Sequence, residues 1–177
     1  MFVRSISLGV VAAALMASGA HAADLMIPTT PAPMLAETSG FAWDGLYAGV
    51  QGGGDWFDDA TRGTIGGVVG VNYIVADPIL LGFEVDANYV FGDHLNGTEF
   101  LAVARLGAVL TDQVMVYADA GAGVLNAGGP VTKYQLGGGV EVAVADNVSI
   151  RGQVDGVGTF GSGFNEVKAT VGAFYHF

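Results

Sequence analysis

Residues 167–177 read VKATVGAFYHF. From Val167 every second residue is apolar (Val167, Ala169, Val171, Ala173, Tyr175, Phe177), while Lys168, Thr170 and His176 occupy alternate positions. A period of two belongs to an extended strand with one face in an apolar medium and the other among polar groups. Tyr175 and Phe177 crowd the end of the segment, where a strand crossing a bilayer meets the headgroup layer. Such a segment is either a membrane strand or the edge of a soluble sandwich, and the rest of the chain separates the two.

Working outward, 51% of the 177 residues are hydrophobic and mean hydropathy is +0.50, greasier than an ordinary soluble domain. The longest charge-free apolar run, Ile6 to Ala20, falls short of the ~18–20 residues a spanning helix needs. Lipid accepts helices or closed sheets alone, so a greasy chain without a spanning helix points to a barrel. Glycine, at 29 residues, is more than twice its usual share of about 7% and suits crowded, curved strands. The absence of cysteine excludes disulfides and thiolate metal sites. Six Lys plus Arg against 17 Asp plus Glu argue against a nucleic-acid partner.

Three regions follow. Residues 1–22 read as a secretory signal: Arg4 supplies the basic start, Ile6 to Ala17 the apolar stretch, and Ala20-His21-Ala22 the small-residue cleavage site. Residues 23–42, with Pro28, Pro31 and Pro33 and no periodicity, read as an extended periplasmic linker. Residues 43–177 divide into eight expected strands at about 45–54, 64–76, 79–91, 99–111, 113–125, 131–145, 147–159 and 165–177. Tight turns at Asp77, Asp112 and Asp146 recur at intervals of 35 and 34 residues, the rhythm of a string of hairpins. The other connectors, near 55–63, 92–98, 126–130 and 160–164, are expected to be longer loops on the opposite rim. The fold expected is all-β: an eight-stranded antiparallel up-and-down transmembrane β-barrel.

The polar residues keep one parity within each strand. Glu84, Asp86 and Asn88 alternate with Phe83, Val85 and Ala87; Ser149, Arg151, Gln153 and Asp155 alternate with Ile150, Gly152 and Val154. A sandwich would turn its polar face to water and fill it with Lys and Glu. Here that face is mostly glycine with a few charges, which is what a narrow barrel interior holds. Tyr89, Phe91, Phe100 and Tyr134 are expected as one outward aromatic girdle, and Trp43, Tyr73, Tyr175 and Phe177 as the other.

Together WDGLYAGVQGGG, GGVVGVNY, ARLGAVLTDQVMVYADAGAG, GGGVEVAVADNVSIRGQV and the terminal AFYHF resemble the small porin-family, opacity-like (OmpA-like) eight-stranded outer-membrane barrels of Gram-negative bacteria. The resemblance spans about Trp43 to Phe177 and is carried by loose patterns of Gly, aromatics and Asp turns, which specify a fold better than a task. It implies residence in the cell outer membrane among lipid and lipopolysaccharide. It also implies insertion by the barrel-assembly machinery, with Tyr175 and Phe177 as the assembly signal. Structural, adhesive, porin-like and hemin-binding roles all occur in the family.

Ten charged residues are assigned to the lumen: Glu84, Asp86, Arg105, Asp119, Lys133, Glu141, Arg151, Asp155, Glu166 and Lys168. In so small a space they are expected to pair and plug the bore, since an unpaired buried charge is costly; the alternative is a narrow cation-selective channel. Arg62 and the acidic DWFDDATR stretch, with Asp55, Asp58 and Asp59, are placed in a solvated loop without calcium-loop spacing. His94, His176 and Ser162 are the residues a hydrolytic site would draw on. The strand map separates His176 from the other two by the height of the barrel, so no enzyme is expected. No cofactor is expected either, with His94 as a conceivable heme ligand in the hemin-binding alternative.

Overall fold

The computed structural model describes residues 40–57, 60–92 and 95–177; the expected signal, most of the expected linker, and Asp58, Asp59 and His94 lie outside the described residues. Eight antiparallel strands follow one another in chain order: β1 Gly45–Phe57, β2 Ala60–Ala76, β3 Ile79–Gly92, β4 Leu95–Thr111, β5 Val114–Asn126, β6 Pro130–Ala145, β7 Val148–Thr159 and β8 Gly163–His176. Each pairs with its sequence neighbours, and β1 pairs with β8 from Tyr47↔His176 to Trp56↔Val167, so the sheet closes into a barrel. Closure leaves no unpaired edge, which is the condition for placing a sheet in hydrocarbon.

The register fixes the bore. Directly paired residues run Asp55, Lys168, Asp155, Gly137, Asp119, Arg105, Gly82, Asn72 and back to β1 at Gly45, ten residues from the start. That stagger tilts the strands and leaves an interior wide enough for side chains. Strands of 12–17 residues at ~3.3 Å per residue and a tilt of ~40° reach about 30 Å or more along the axis, enough to span a bilayer core.

The two faces separate as the alternation requires. Val50, Ile65, Val69, Phe83, Val85, Leu106, Leu136, Val154 and Val171 are exposed on the outer wall. Every charged strand residue points inward: Asp55, Arg62, Glu84, Asp86, Glu99, Arg105, Asp119, Lys133, Glu141, Arg151, Asp155, Glu166 and Lys168. The described acids outside the strands, Asp44, Asp77, Asp112 and Asp146, are exposed on the rim where β1 begins and β8 ends.

Three expectations are corrected. The connectors near 55–63 and 92–98 are not long loops: β1 and β2 run to Phe57 and from Ala60, and β4 begins at Leu95, so two residues separate each pair. The two rims therefore carry connectors of similar length. Asp55 and Arg62, expected in a solvated loop, are strand residues; Asp55 is 1% exposed opposite Lys168, and Arg62 lies 3.1 Å from Glu166. Both errors share a cause, because in a barrel the inward polar parity continues to the rim and polarity does not mark a strand end. Trp43, expected in the outward girdle, is 3% exposed and fills the bore mouth with Leu80, Met115 and Tyr117. Tyr73, Tyr89, Phe91, Phe100, Tyr175 and Phe177 do face outward.

Candidate functional site

The lumen is where chemistry-bearing side chains converge, and the alternation of the strands puts them there. All ten residues assigned to it from the sequence are buried and inward, joined by Asp55, Arg62 and Glu99. They sort into three tiers along the axis.

In the tier nearer the chain ends, Arg105 on β4 and Arg151 on β7 each contact both Glu84 on β3 and Glu141 on β6. Arg105 Nη1 lies 2.7 Å from Glu84 Oε1 and its Nη2 3.0 Å from Glu141 Oε2; Arg151 Nη1 lies 2.7 Å from Glu84 Oε1 and its Nε 3.0 Å from Glu141 Oε2. Strands β3 and β7 are opposite walls of an eight-stranded barrel, so this ring of two cations and two anions crosses the bore. The guanidinium of Arg105 stacks 3.8 Å from the Tyr117 ring and that of Arg151 3.8 Å from Phe174. Tyr47 donates its hydroxyl proton to Glu84 and accepts from Arg105 Nη1 at 2.9 Å. Stacked, forked guanidinium groups fit a desolvated ion pair better than ammonium groups do.

The far tier uses one position or more on each even strand. Lys133 on β6 reaches both oxygens of Glu166 on β8 at 3.1 and 2.9 Å and lies 3.9 Å from Glu99 on β4. Lys168 donates to Glu99, and Arg62 on β2 completes the set at Glu166. With Asp55 this tier holds three acids and three bases, and the near tier two of each, so both are formally neutral.

Between them lies a tier with acids and no cation: Asp86 next inward from Glu84 on β3, Asp119 next from Tyr117 on β5, and Asp155 two inward positions beyond Arg151 on β7. Amides surround it. Gln51 donates to Asn88 at 3.1 Å, Gln153 to Asp155 at 2.9 Å and Gln135 to Asp119 at 3.5 Å, while Tyr117 donates to Gln153 at 2.7 Å and links this tier to the near one. One carboxylate oxygen of each aspartate has no hydrogen-bond partner among the described residues. Even so, no group of three His, Asp or Glu among the described residues is placed to hold a metal.

The inward aromatics Tyr47 and Phe174 escaped the sequence reading, and Tyr117, inward by the parity of its strand, was not counted in the plug, yet a signal for all three exists. Each shares the parity of the glycine face, and each pairs across strands with a glycine: Tyr47↔Gly70, Tyr117↔Gly139, Phe174↔Gly49. A Cβ on Gly70 would lie 2.4 Å from Tyr47 Cζ, and one on Gly139 2.8 Å from Tyr117 Cζ, so the missing side chain is the space the ring occupies. Asp55 went unassigned because it lies at a strand end that was read as a loop; Glu99, the first residue of the expected fourth strand, shares the parity of Arg105 and was open to assignment.

Of the residues weighed for hydrolysis, the two described ones, Ser162 and His176, do not come together. Ser162 sits in the exposed 160–162 turn at the end of the barrel opposite His176. His176 is instead buried beside Ser149 and Glu141, its Nε2 3.0 Å from Ser149 Oγ and 3.2 Å from Glu141 Oε1. Both contacts fall on one ring nitrogen, whereas a nucleophile relay needs the serine on one nitrogen and the carboxylate on the other.

With this geometry in view, no protein-family model matches the chain, and no curated protein matches it by sequence. Solved structures do match. The N-terminal β-barrel domain of Pseudomonas aeruginosa OprF aligns over 74% of this chain and 97% of that one, with TM-score 0.51 and 18% identity. Neisserial surface protein A aligns over 75% and 96%, with TM-score 0.51 and 11% identity. This is the fold of outer-membrane eight-stranded barrels. A de novo designed transmembrane β-barrel aligns equally well, with TM-score 0.51 and 16% identity over 77% of this chain and 99% of that one. A designed barrel matching as closely as natural ones means the likeness speaks for architecture and leaves function to the site.

Proposed function

We propose that this chain is an integral outer-membrane barrel whose bore is shut, and that it serves the bacterial envelope structurally and through contacts made by its wall and rims. The observation that carries this reading is the pair of neutral ion-pair networks crossing the lumen at two levels. Arg105 and Arg151 with Glu84 and Glu141 span the near level; Lys133, Lys168 and Arg62 with Glu99 and Glu166 span the far level. Desolvated, multiply bonded pairs of this kind resist being pulled apart singly, because breaking one leaves a partner charge buried. The even strand number puts both chain ends on one rim, which a secreted precursor with residues 1–22 removed would leave in the periplasm. Lipid and lipopolysaccharide chains would lie against the apolar wall. Chemistry on a substrate is not part of this reading.

A second reading, a narrow cation path, draws on the middle tier, where Asp86, Asp119 and Asp155 face the bore with no ion pair among the described residues. It requires both networks to part.

Envelope fractionation of a strain making the protein tests the first reading's location. Heat-modifiable protein in the outer-membrane fraction, with unaltered uptake of small solutes in cells lacking it, is the expected outcome. Protein recovered from the soluble periplasm, or a solute-uptake defect on deletion, would overturn it.

A further inference from the structure

Residues 40–44 belong to no strand, yet they do not leave the barrel. At the first position of β1, Gly45 has φ +109°, in the left-handed region that favours glycine. The β1–β8 ladder closes beside it, with Phe177 donating its backbone N–H to Leu46 O at 3.0 Å. Beyond that point the preceding segment crosses the mouth of the bore. Trp43 is 3% exposed, and Leu80 and Met115 beneath it are fully buried. Phe41 packs at a tilt against Trp43 with ring centroids 4.5 Å apart, and both rings meet His176, at 4.7 and 5.9 Å. Two side-chain hydrogen bonds tether the segment: Trp43 Nε1 donates to Asp112 O at 3.3 Å, and Asn72 Nδ2 donates to Trp43 O at 3.0 Å.

We propose that residues 40–44 form a strap hinged at Gly45, which closes the mouth of the lumen at the chain-end rim with Trp43 as its plug. The strands are committed by continuous backbone ladders; the strap is held by ring packing and two tethers, so it can lift without breaking a strand pair. Segments with few backbone hydrogen bonds open locally at a fraction of the global unfolding free energy. Lifting it bares a vestibule lined by Leu80, Met115, Tyr117 and His176. The Arg105–Glu84–Arg151–Glu141 ring lies behind that vestibule and does not depend on the strap for any of its ion pairs. The bore thus has two closures in series at this end, one of aromatic packing and one of charge. The inference stands on this geometry whichever side of the membrane the rim faces.

Because the chain has no cysteine, a single introduced thiol reports access without background. Leu80→Cys places the thiol directly beneath Trp43, and Asp146→Cys places a control thiol on the same rim, already exposed. Refolded protein is treated with a charged, membrane-impermeant thiol reagent, with and without the added pair Phe41→Ala and Trp43→Ala. Heat-modifiable mobility verifies folding in each sample. The Leu80→Cys thiol is expected to react at least about tenfold faster without the strap rings, while the control rate is unchanged. Equal Leu80→Cys rates in the two backgrounds would overturn the proposal. A second measurement leaves the strap untouched. The chain has two tryptophans, so Trp56→Phe isolates Trp43 fluorescence. A docked plug is shielded from iodide; quenching as strong as that of the urea-unfolded protein would equally sink the idea.

Discussion

At the scale of single residues, the lumen is governed by how completely each buried charge is matched. Arg151 has side-chain contacts to Glu84 and Glu141 and a face against Phe174, all out of water. Arg151→Ala leaves two buried carboxylates sharing the single charge of Arg105 and is expected to cost about 3–5 kcal/mol in a urea unfolding titration of refolded protein. Asp146→Ala, on an exposed turn, should stay within about 0.5 kcal/mol; similar losses for both would remove the network from the account. Arg62 is no surface control for this comparison, because it reaches Glu166 inside the bore. The Tyr–Gly pairs give a second expectation. Gly139→Ala drives a methyl group against Tyr117, whose hydroxyl is already engaged by Gln153, and should destabilise by about 1–3 kcal/mol. Gly152→Ala, where a Cβ meets nothing within 4 Å, should be close to neutral in the same titration. These residues were partly legible in the sequence. Charge parity alone put Glu84, Arg105, Glu141 and Arg151 on one face, whereas the rings of Tyr47 and Phe174 were hidden because an aromatic in a membrane strand satisfies lipid and lumen equally well. The cross-strand register, which no single strand reveals, distinguishes the two.

At the scale of the strand, alternation made the eight elements readable, and the rims were where it misled. The cores of all eight expected strands lie within those observed, but the ends near Asp55, Arg62 and Glu99 were cut short. Gly and acidic residues mark a turn in a soluble sheet; in a barrel they also mark the lumen face of a strand that continues. The outer face carries its own prediction. Val85 is 61% exposed in the middle of β3, and Val85→Arg should cost about 2–4 kcal/mol if that position lies near the bilayer centre. The check is refolding into lipid vesicles against micelles, with the deficit larger in vesicles; equal behaviour in both would place Val85 outside hydrocarbon. The closing strand β8 carries another. Phe177 is 76% exposed, packs on Tyr175 with ring centroids 5.2 Å apart, and contributes one ladder bond, to Leu46. If Tyr175 and Phe177 are the assembly signal, Phe177→Asp should lower the amount of heat-modifiable barrel in the outer membrane far more than it lowers unfolding stability in vitro. Matched losses in the two assays would reduce Phe177 to a packing contact.

At the scale of the whole molecule, the charges are divided between inside and outside in an unusual way. Beyond Arg4, every Lys and Arg of the chain, namely Arg62, Arg105, Lys133, Arg151 and Lys168, faces the lumen. The described exterior is apolar wall and acidic rim, with the described Lys and Arg side chains turned inward. Inside, two neutral tiers bracket an acidic one. That arrangement predicts a bore that is shut as a resting state and cation-preferring if forced open. The most direct test is the current through planar bilayers containing the refolded mature protein, alone and with Arg151→Ala and Lys168→Ala combined to weaken both tiers. The account predicts no stepwise current above the bare-membrane baseline for the unaltered protein, and small steps with cation preference for the double variant. Steady ohmic steps from the unaltered protein would contradict it.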